Sequence, residues 1–300
     1  MVSNNDFDTS YAKTVSQMMA TSLSTYSSAG HAILENINII PYVYGKEHIT
    51  RPVANPYDDV IIDRRFNAPE QQAEKLVQEI DFACVSKRIM IDSVDYAGDP
   101  ANAQKVVSDG LSIVKDGLEK FFIEGTSTRI VNYGLHDNTI TGIINRPDVA
   151  GLVTSALKWD TITGMQDEVG DCLGQLIADK FNGPYLMMAP TICIPLFAQV
   201  MTSTAVPVST WVSQALGLPV IFSPFVDSDA VVTAFDVYII DTSKVHMGMT
   251  DLKIDQYYDN KGHAYFWDFE VFTSALFDPL NNGTEIVKGV GLISQVDWNT

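Results

Sequence analysis

Residues Asp99 to Gly125 read DPANAQKVVSDGLSIVKDGLEKFFIEG, and Gly142 to Pro147 read GIINRP. Asp99 suits an N-cap, and Pro100 fits the first helical position because its missing N–H would be unpaired there anyway. Val107, Leu111, Val114, Leu118 and Phe121 recur at spacings of 4, 3, 4 and 3, which puts them in one stripe on a helix. Gly125 stands where a left-handed C-cap is wanted. The 25 residues from Pro100 to Glu124 would make a rod of roughly 37 Å. That is about twice the usual globular helix. A rod of this length with a narrow stripe spans a flattened domain. Gly110 and Gly117 share one side of it, and each weakens a helix by about 1 kcal/mol relative to Ala. Another backbone is expected to pack closely there.

Away from the rod, periodicity predicts a mixture of elements. Residues 8–29 carry Tyr11, Val15, Met18, Met19, Leu23 and Tyr26 at helical spacing, in a Ser/Thr-rich context that needs a surface to lie on. Val60-Ile61-Ile62 and Arg88-Ile89-Met90-Ile91 read as strands. Residues 45–69 are poor in core-type residues and mix Lys46, Glu47, Arg51, Asp58, Asp59, Asp63, Arg64 and Arg65 with prolines, which by itself reads as an ordinary surface loop and also suits an extended projection. Gly164 to Phe181 reads as a helix with Thr163 as N-cap and Val169, Leu173, Leu176, Ile177 and Phe181 inward; Asn182-Gly183-Pro184 is its stop. Val231 to Ile240 and Ala264 to Phe272 read as strands, the second with Tyr265, Trp267, Phe269 and Val271 on one face. A long helix, antiparallel strands and a Pro-rich central module make the class α+β.

Composition narrows the function. The chain of 300 residues is 46% hydrophobic and 19% charged, an ordered globular content poorer in charge than the usual quarter. A net charge of −18 disfavours sequence-independent nucleic-acid binding, which needs Lys and Arg to displace counterions. Cys84, Cys172 and Cys193 have no metal-like or redox-like spacing, so three buried thiols in a reducing compartment are expected. The first residues carry no basic region followed by an apolar run, so no secretory signal is expected. Phe181 to Val226 contains no charged residue, but six prolines interrupt it, and a buried domain of short elements explains it better than a membrane span.

A search for catalytic constellations returns almost nothing, and no catalytic, cofactor or metal residue is assigned. Gly289-Val290-Gly291 lacks the third glycine of a dinucleotide loop. His31, His48, His136, His246 and His263 are scattered, without the spacing of a metal site. Gly-x-Ser-x-Gly is absent. The pairs Asp92/Asp95 and Asp227/Asp229 could hold a divalent ion with other carboxylates, although the first is better explained as favourable charge at the start of the long helix.

Four motifs in one order carry a resemblance. Gly142-Ile143-Ile144-Asn145 after the long helix, Tyr185-Leu186-Met187-Met188-Ala189-Pro190 before a short helix, the Leu216-Gly217-Leu218-Pro219-Val220 strand, and Phe266 to Phe277 with Asp278-Pro279 and Glu285-Ile286-Val287-Lys288-Gly289 resemble the major capsid proteins of tailed bacteriophages. They span residues 88–292. The resemblance implies the Hong Kong 97-type capsid fold, which encapsulin shells share. It implies an N-terminal arm at 1–44, an E-loop region at 45–87 and a peripheral domain at 88–151 with spine helix 100–124. An axial domain at 152–262 and a return to the peripheral domain at 263–300 complete it.

The same resemblance implies a structural protein, not an enzyme, that self-assembles as hexamers and pentamers into an icosahedral shell around double-stranded DNA. It would contact no membrane and bind the DNA without specificity, its acidic surface keeping packaged DNA from adhering. Implied partners are separate scaffolding and portal proteins and decoration proteins; the implied location is the virion, after assembly in the host bacterial cytoplasm. An encapsulin-like shell around a cargo enzyme and an acidic cytosolic enzyme are the alternatives, and the residues before Gly45 favour the phage subunit. Some relatives cross-link a projection Lys to an Asn of a neighbour's closing strand with help from a Glu. Lys46 and Glu270 or Glu285 could serve, but His263 to Phe277 contains no asparagine, and Asn260, Asn281 and Asn282 do not match by position. Non-covalent shells are therefore expected.

Overall fold

The computed structural model describes residues 32–41, 48–53, 74–79, 83–93, 100–126, 140–141, 152–154, 162–200, 205–226, 234–278, 280–281, 286–287 and 289–297. In chain order these form α1 (Ala32–Asn36), β1 (Asn38–Pro41), β2 (His48–Val53), β3 (Glu74–Glu79), β4 (Ala83–Asp92) and α2 (Pro100–Glu124). Next come β5 (Gly125–Thr126), β6 (Ile140–Thr141), β7 (Leu152–Thr154), α3 (Ile162–Ala178) and β8 (Tyr185–Pro190). A 3₁₀ turn at Thr191–Cys193 leads into α4 (Ile194–Phe197), followed by α5 (Val208–Ala215), β9 (Val220–Ser223) and β10 (Ala234–Asp241). The chain closes with β11 (Val245–Met249), β12 (Lys253–Asp259), β13 (Ala264–Phe277), β14 (Leu280–Asn281), β15 (Ile286–Val287) and β16 (Val290–Asp297).

Two five-stranded sheets organise the molecule. In the first, β13 is central: β4 pairs along one side of it, and β12 and β11 follow each other along the other. The edge strand β1 runs parallel to β11. The second sheet has the order β7-β16-β10-β8-β9. Strands β2 and β3 form a separate antiparallel ladder. Pro52 stands opposite Lys75 in it and is tolerated because, among the described residues, neither strand pairs with a third.

The rod runs over the expected residues, and Gly125 takes φ 77°, the left-handed cap that its position demanded. Val114, Leu118 and Phe121 are buried, and so are Phe122 and Ile123, which the stripe omitted. Gly110 and Gly117 face the first sheet. What packs on them is not another backbone but side chains: a Cβ at Gly110 would lie 1.9 Å from Ile89 Cδ1, and one at Gly117 would lie 2.9 Å from Val85 Cγ1.

The second sheet is buried on both faces. Leu186, Met188, Tyr238 and Ile240 join the core beneath α2, with Trp267, Phe269 and Val271 of the first sheet. Their alternates Met187, Ala189, Val237 and Ile239 join a second core with Met165, Val169, Cys172 and Leu176 of α3. Period-2 alternation between two apolar environments yields continuous hydrophobic runs, which is how β8 and β10 read.

Several expectations need correction. The helix expected from Gly164 begins at Ile162, so Thr163 lies inside it. Its inward residues are Met165, Val169, Cys172 and Leu176, while Ile177 is 53% exposed. The helix ends earlier than Asn182. Lys180 takes φ 63°, its N–H donates to Ile177 O at 3.0 Å, and Phe181 N–H donates to Leu176 O at 3.0 Å. This is a Schellman motif with a lysine in the left-handed position, sealed by Phe181 beside Leu176 in the apolar core. The Leu216–Pro219 segment is a turn into β9, which starts at Val220. Strand β16 was not anticipated. It lies between β7 and β10 in the second sheet. Cys84 is exposed, not buried. The helix at 8–29, the strand at 60–62 and the 142–151 segment lie outside the described residues.

Candidate functional site

The sequence placed no catalytic centre, and among the described residues no three of His, Cys, Asp and Glu gather as a metal group would require. Asp92 ends β4 and is exposed; Asp95, Asp227 and Asp229 lie outside the described residues, as do Lys46, Asn282 and Glu285. Glu270 sits on β13, with Lys253 Nζ at 3.9 Å from its carboxylate. Asn260 is exposed in the turn before β13, and Asn281 is on β14. No helix among the described residues is long and apolar enough to cross a membrane.

What the molecule offers instead is surface and joint. On the outer face of the first sheet, the register aligns Met90, Phe266 and Tyr257 in one row across three strands. Tyr257 and Phe266 stack at 5.1 Å between centroids, and Met90 is 63% exposed. The next row is charged. Arg88 grips Asp268 with two bonds, Nε at 2.6 Å and Nη2 at 2.8 Å, and its guanidinium lies 5.7 Å above the Tyr257 ring. That hydrogen bond holds the Asp268 carboxyl below the usual carboxylate range and raises Arg88 further above its own. A second exposed apolar group, Ile192, Ile194 and Val200, follows β8 inside the charge-free stretch.

Several polar groups are buried and hydrogen-bonded. Glu119 on α2 accepts from Ser223 Oγ at 2.8 Å at the end of β9, and the same hydroxyl accepts from Phe225 N–H. His246 on β11 is 3.0 Å from Asp278 through Nε2 and 3.3 Å from the Asn38 amide through Nδ1. Asp241 at the end of β10 is fully buried and accepts from Gly183 N–H, Ser243 N–H and Ser243 Oγ. Burial foremost, and then the Asp241 charge, raises the Tyr185 phenol, whose hydroxyl donates to Phe181 O. Sequence reasoning missed these groups. Asp241 carried a usable signal, an Asp closing the apolar run from Val237 to Ile240 ahead of a Thr-Ser turn.

The architecture is matched elsewhere. It superimposes on the capsid of Myoviridae phage XM1 with a TM-score of 0.57 and 11% identity, over 88% of this chain and 90% of that one. With the procapsid of satellite phage P4, which includes its size determination protein, the TM-score is 0.56 at 11% identity, over 93% of this chain and 99% of the other. The chain has the Hong Kong 97-type capsid fold. The Hong Kong 97-type fold also relates it to the virus-like particle from Pyrococcus furiosus, with a TM-score of 0.53 and 8% identity over 87% and 92% of the two chains. No protein-family model and no curated protein sequence matches it. At such identities, what is shared with other Hong Kong 97-type chains is the order and packing of elements.

Proposed function

We propose that this chain is the major capsid protein of a tailed bacteriophage. Copies associate as hexamers and pentamers into an icosahedral shell that encloses double-stranded DNA without binding it specifically. The observation that carries the reading is the match of the whole architecture to a phage capsid and a phage procapsid, over about nine-tenths of this chain. The exposed Met90–Phe266–Tyr257 row, and the exposed Ile192, Ile194 and Val200, support it as surfaces that copies could cover. In this reading the β2–β3 ladder belongs to the E-loop, the chain does no chemistry, and scaffolding, portal and decoration proteins are separate partners. It is made in the host bacterial cytoplasm and ends in the virion.

The match to a virus-like particle favours a second reading, a shell around a protein cargo. Particle contents separate the two. Particles purified from producing cells should contain nuclease-protected duplex DNA of one length; particles with a stoichiometric second protein and no DNA would establish the cargo shell instead.

A further inference from the structure

Two connections of the chain between the sheets meet at their ends. One leads from β10 into β11 through residues 242–244, and the other from β13 towards β16. They are bonded to each other at both ends, Asp278 N–H donating to Lys244 O at 2.8 Å and Asp241 N–H to Gly289 O at 2.9 Å. The turn that feeds β8 is fastened to the same place: Thr242 donates to Pro184 O through both its N–H and its hydroxyl, each at 2.9 Å.

The Asp241 carboxylate ties the turn that feeds β8 to the segment that leaves β10. Oδ2 accepts from Gly183 N–H at 3.0 Å, and Oδ1 accepts from Ser243 N–H at 2.9 Å and Ser243 Oγ at 2.6 Å. There is no slack around it. Gly289 takes φ 69°, and a Cβ there would lie 3.0 Å from the Phe181 ring and 3.5 Å from Asp241 Cβ. At the β9 edge, the Glu119–Ser223 bond ties α2 to the same sheet. The carboxylate thereby fixes the direction in which residues 242–244 leave the second sheet for the first, and removing it would leave these part-buried donors without their acceptor.

A closed shell needs this angle to be constant, because a small error in each subunit accumulates around a ring until contacts cease to close. We propose that the paired crossover, locked by the Asp241 carboxylate, sets the angle between the two sheets, and that this angle sets the curvature of the shell. The second half rests on the capsid reading above; the first does not.

Two readouts test it. Cys84 is exposed on β4, and Cys172 and Cys193 are buried, so one added cysteine, Gln175→Cys on the exposed side of α3, gives a spin-label pair spanning the two sheets. The pair should show one narrow distance distribution in the full chain. In Asp241→Ala it should broaden or shift while a cooperative thermal transition remains, and Asp241→Asn should lie between them. Particles of Asp241→Ala should have scattered diameters or open edges. If Asp241→Ala does not fold, the Thr242→Val/Ser243→Ala double variant, which removes only hydroxyl donors, carries the same measurements. An unchanged distance distribution in a folded variant overturns the joint. A changed distribution with particles of unaltered diameter overturns the link to curvature. Failure of the unsubstituted chain to form particles counts against the capsid reading, and the label distances still decide the joint.

Discussion

Gly110 of the long helix meets Ile89 of the first sheet so closely that a Cβ on the glycine would lie 1.9 Å from Ile89 Cδ1. The glycine lets a rod lie flat on a sheet, and the helix gives up some intrinsic stability for that approach. Gly170 and Gly174 on α3 differ: nothing lies within 4 Å of a Cβ at either. Gly110→Leu should therefore destabilise by about 3 kcal/mol, the upper range for overpacking. Gly170→Ala and Gly174→Ala should each stabilise by up to about 1 kcal/mol. Chemical denaturation of the three variants checks the signs, and a neutral Gly110→Leu would refute the close approach.

Thiol reactivity should separate the cysteines. Burial pushes the Cys172 thiol up to about 12 and leaves little thiolate to react, while Cys84 is exposed on β4. A thiol-titrating reagent at pH 8 should modify Cys84 alone in the folded chain and all three cysteines in denaturant. Cys84 itself should react slowly, because partial burial and then Glu270 raise its thiol. Rapid modification of two or more folded-state thiols would contradict the packing of α3 on the second sheet.

The Arg88–Asp268 pair gives a signed pH dependence. Asp268 is held below its ordinary value of 3.8 in the folded chain, chiefly by the Arg88 hydrogen bond. Its contribution is therefore present above that value and is lost as pH falls through the lower folded one. The stability difference between the unsubstituted chain and Asp268→Asn should be small, reduced by salt, visible at pH 7 and shrinking as the solution is acidified below 3.8. A difference that persists unchanged in acid would mean that the pair is not its source.

Much of the fold was legible because its strongest signals are local. The rod from Pro100 to Glu124, its Gly125 cap and the inward face of β13 follow from periodicity and capping alone. Strand β16 was hidden by Gly289-Val290-Gly291, which reads as a loop. Gly291 is in fact a point of close approach, where a Cβ would lie 2.5 Å from Cys172 Sγ. Ile177 was misassigned because α3 buries a narrower stripe than its hydrophobic residues offer. The joint was illegible for a different reason: Asp241, Gly183 and Gly289 are far apart in sequence, and only the folded chain brings them together.

Covalent cross-links between subunits are not expected. Strand β13 spans Ala264–Phe277 and holds no asparagine, and Glu270 already lies beside Lys253. An isopeptide bond also needs a desolvated amine held at near-attack distance from the amide, which turn asparagines such as Asn260 do not provide. Boiled, detergent-denatured particles should migrate as one band near 33.0 kDa. A reductant-resistant ladder would contradict the expectation.

Electron microscopy of the purified protein tests the central claim most directly. The account predicts closed icosahedral shells of uniform diameter, in which many copies cover the Met90–Phe266–Tyr257 row and the Ile192–Val200 group. Dispersed particles no larger than one or a few 33.0 kDa chains, at every protein concentration and salt tried, would contradict it.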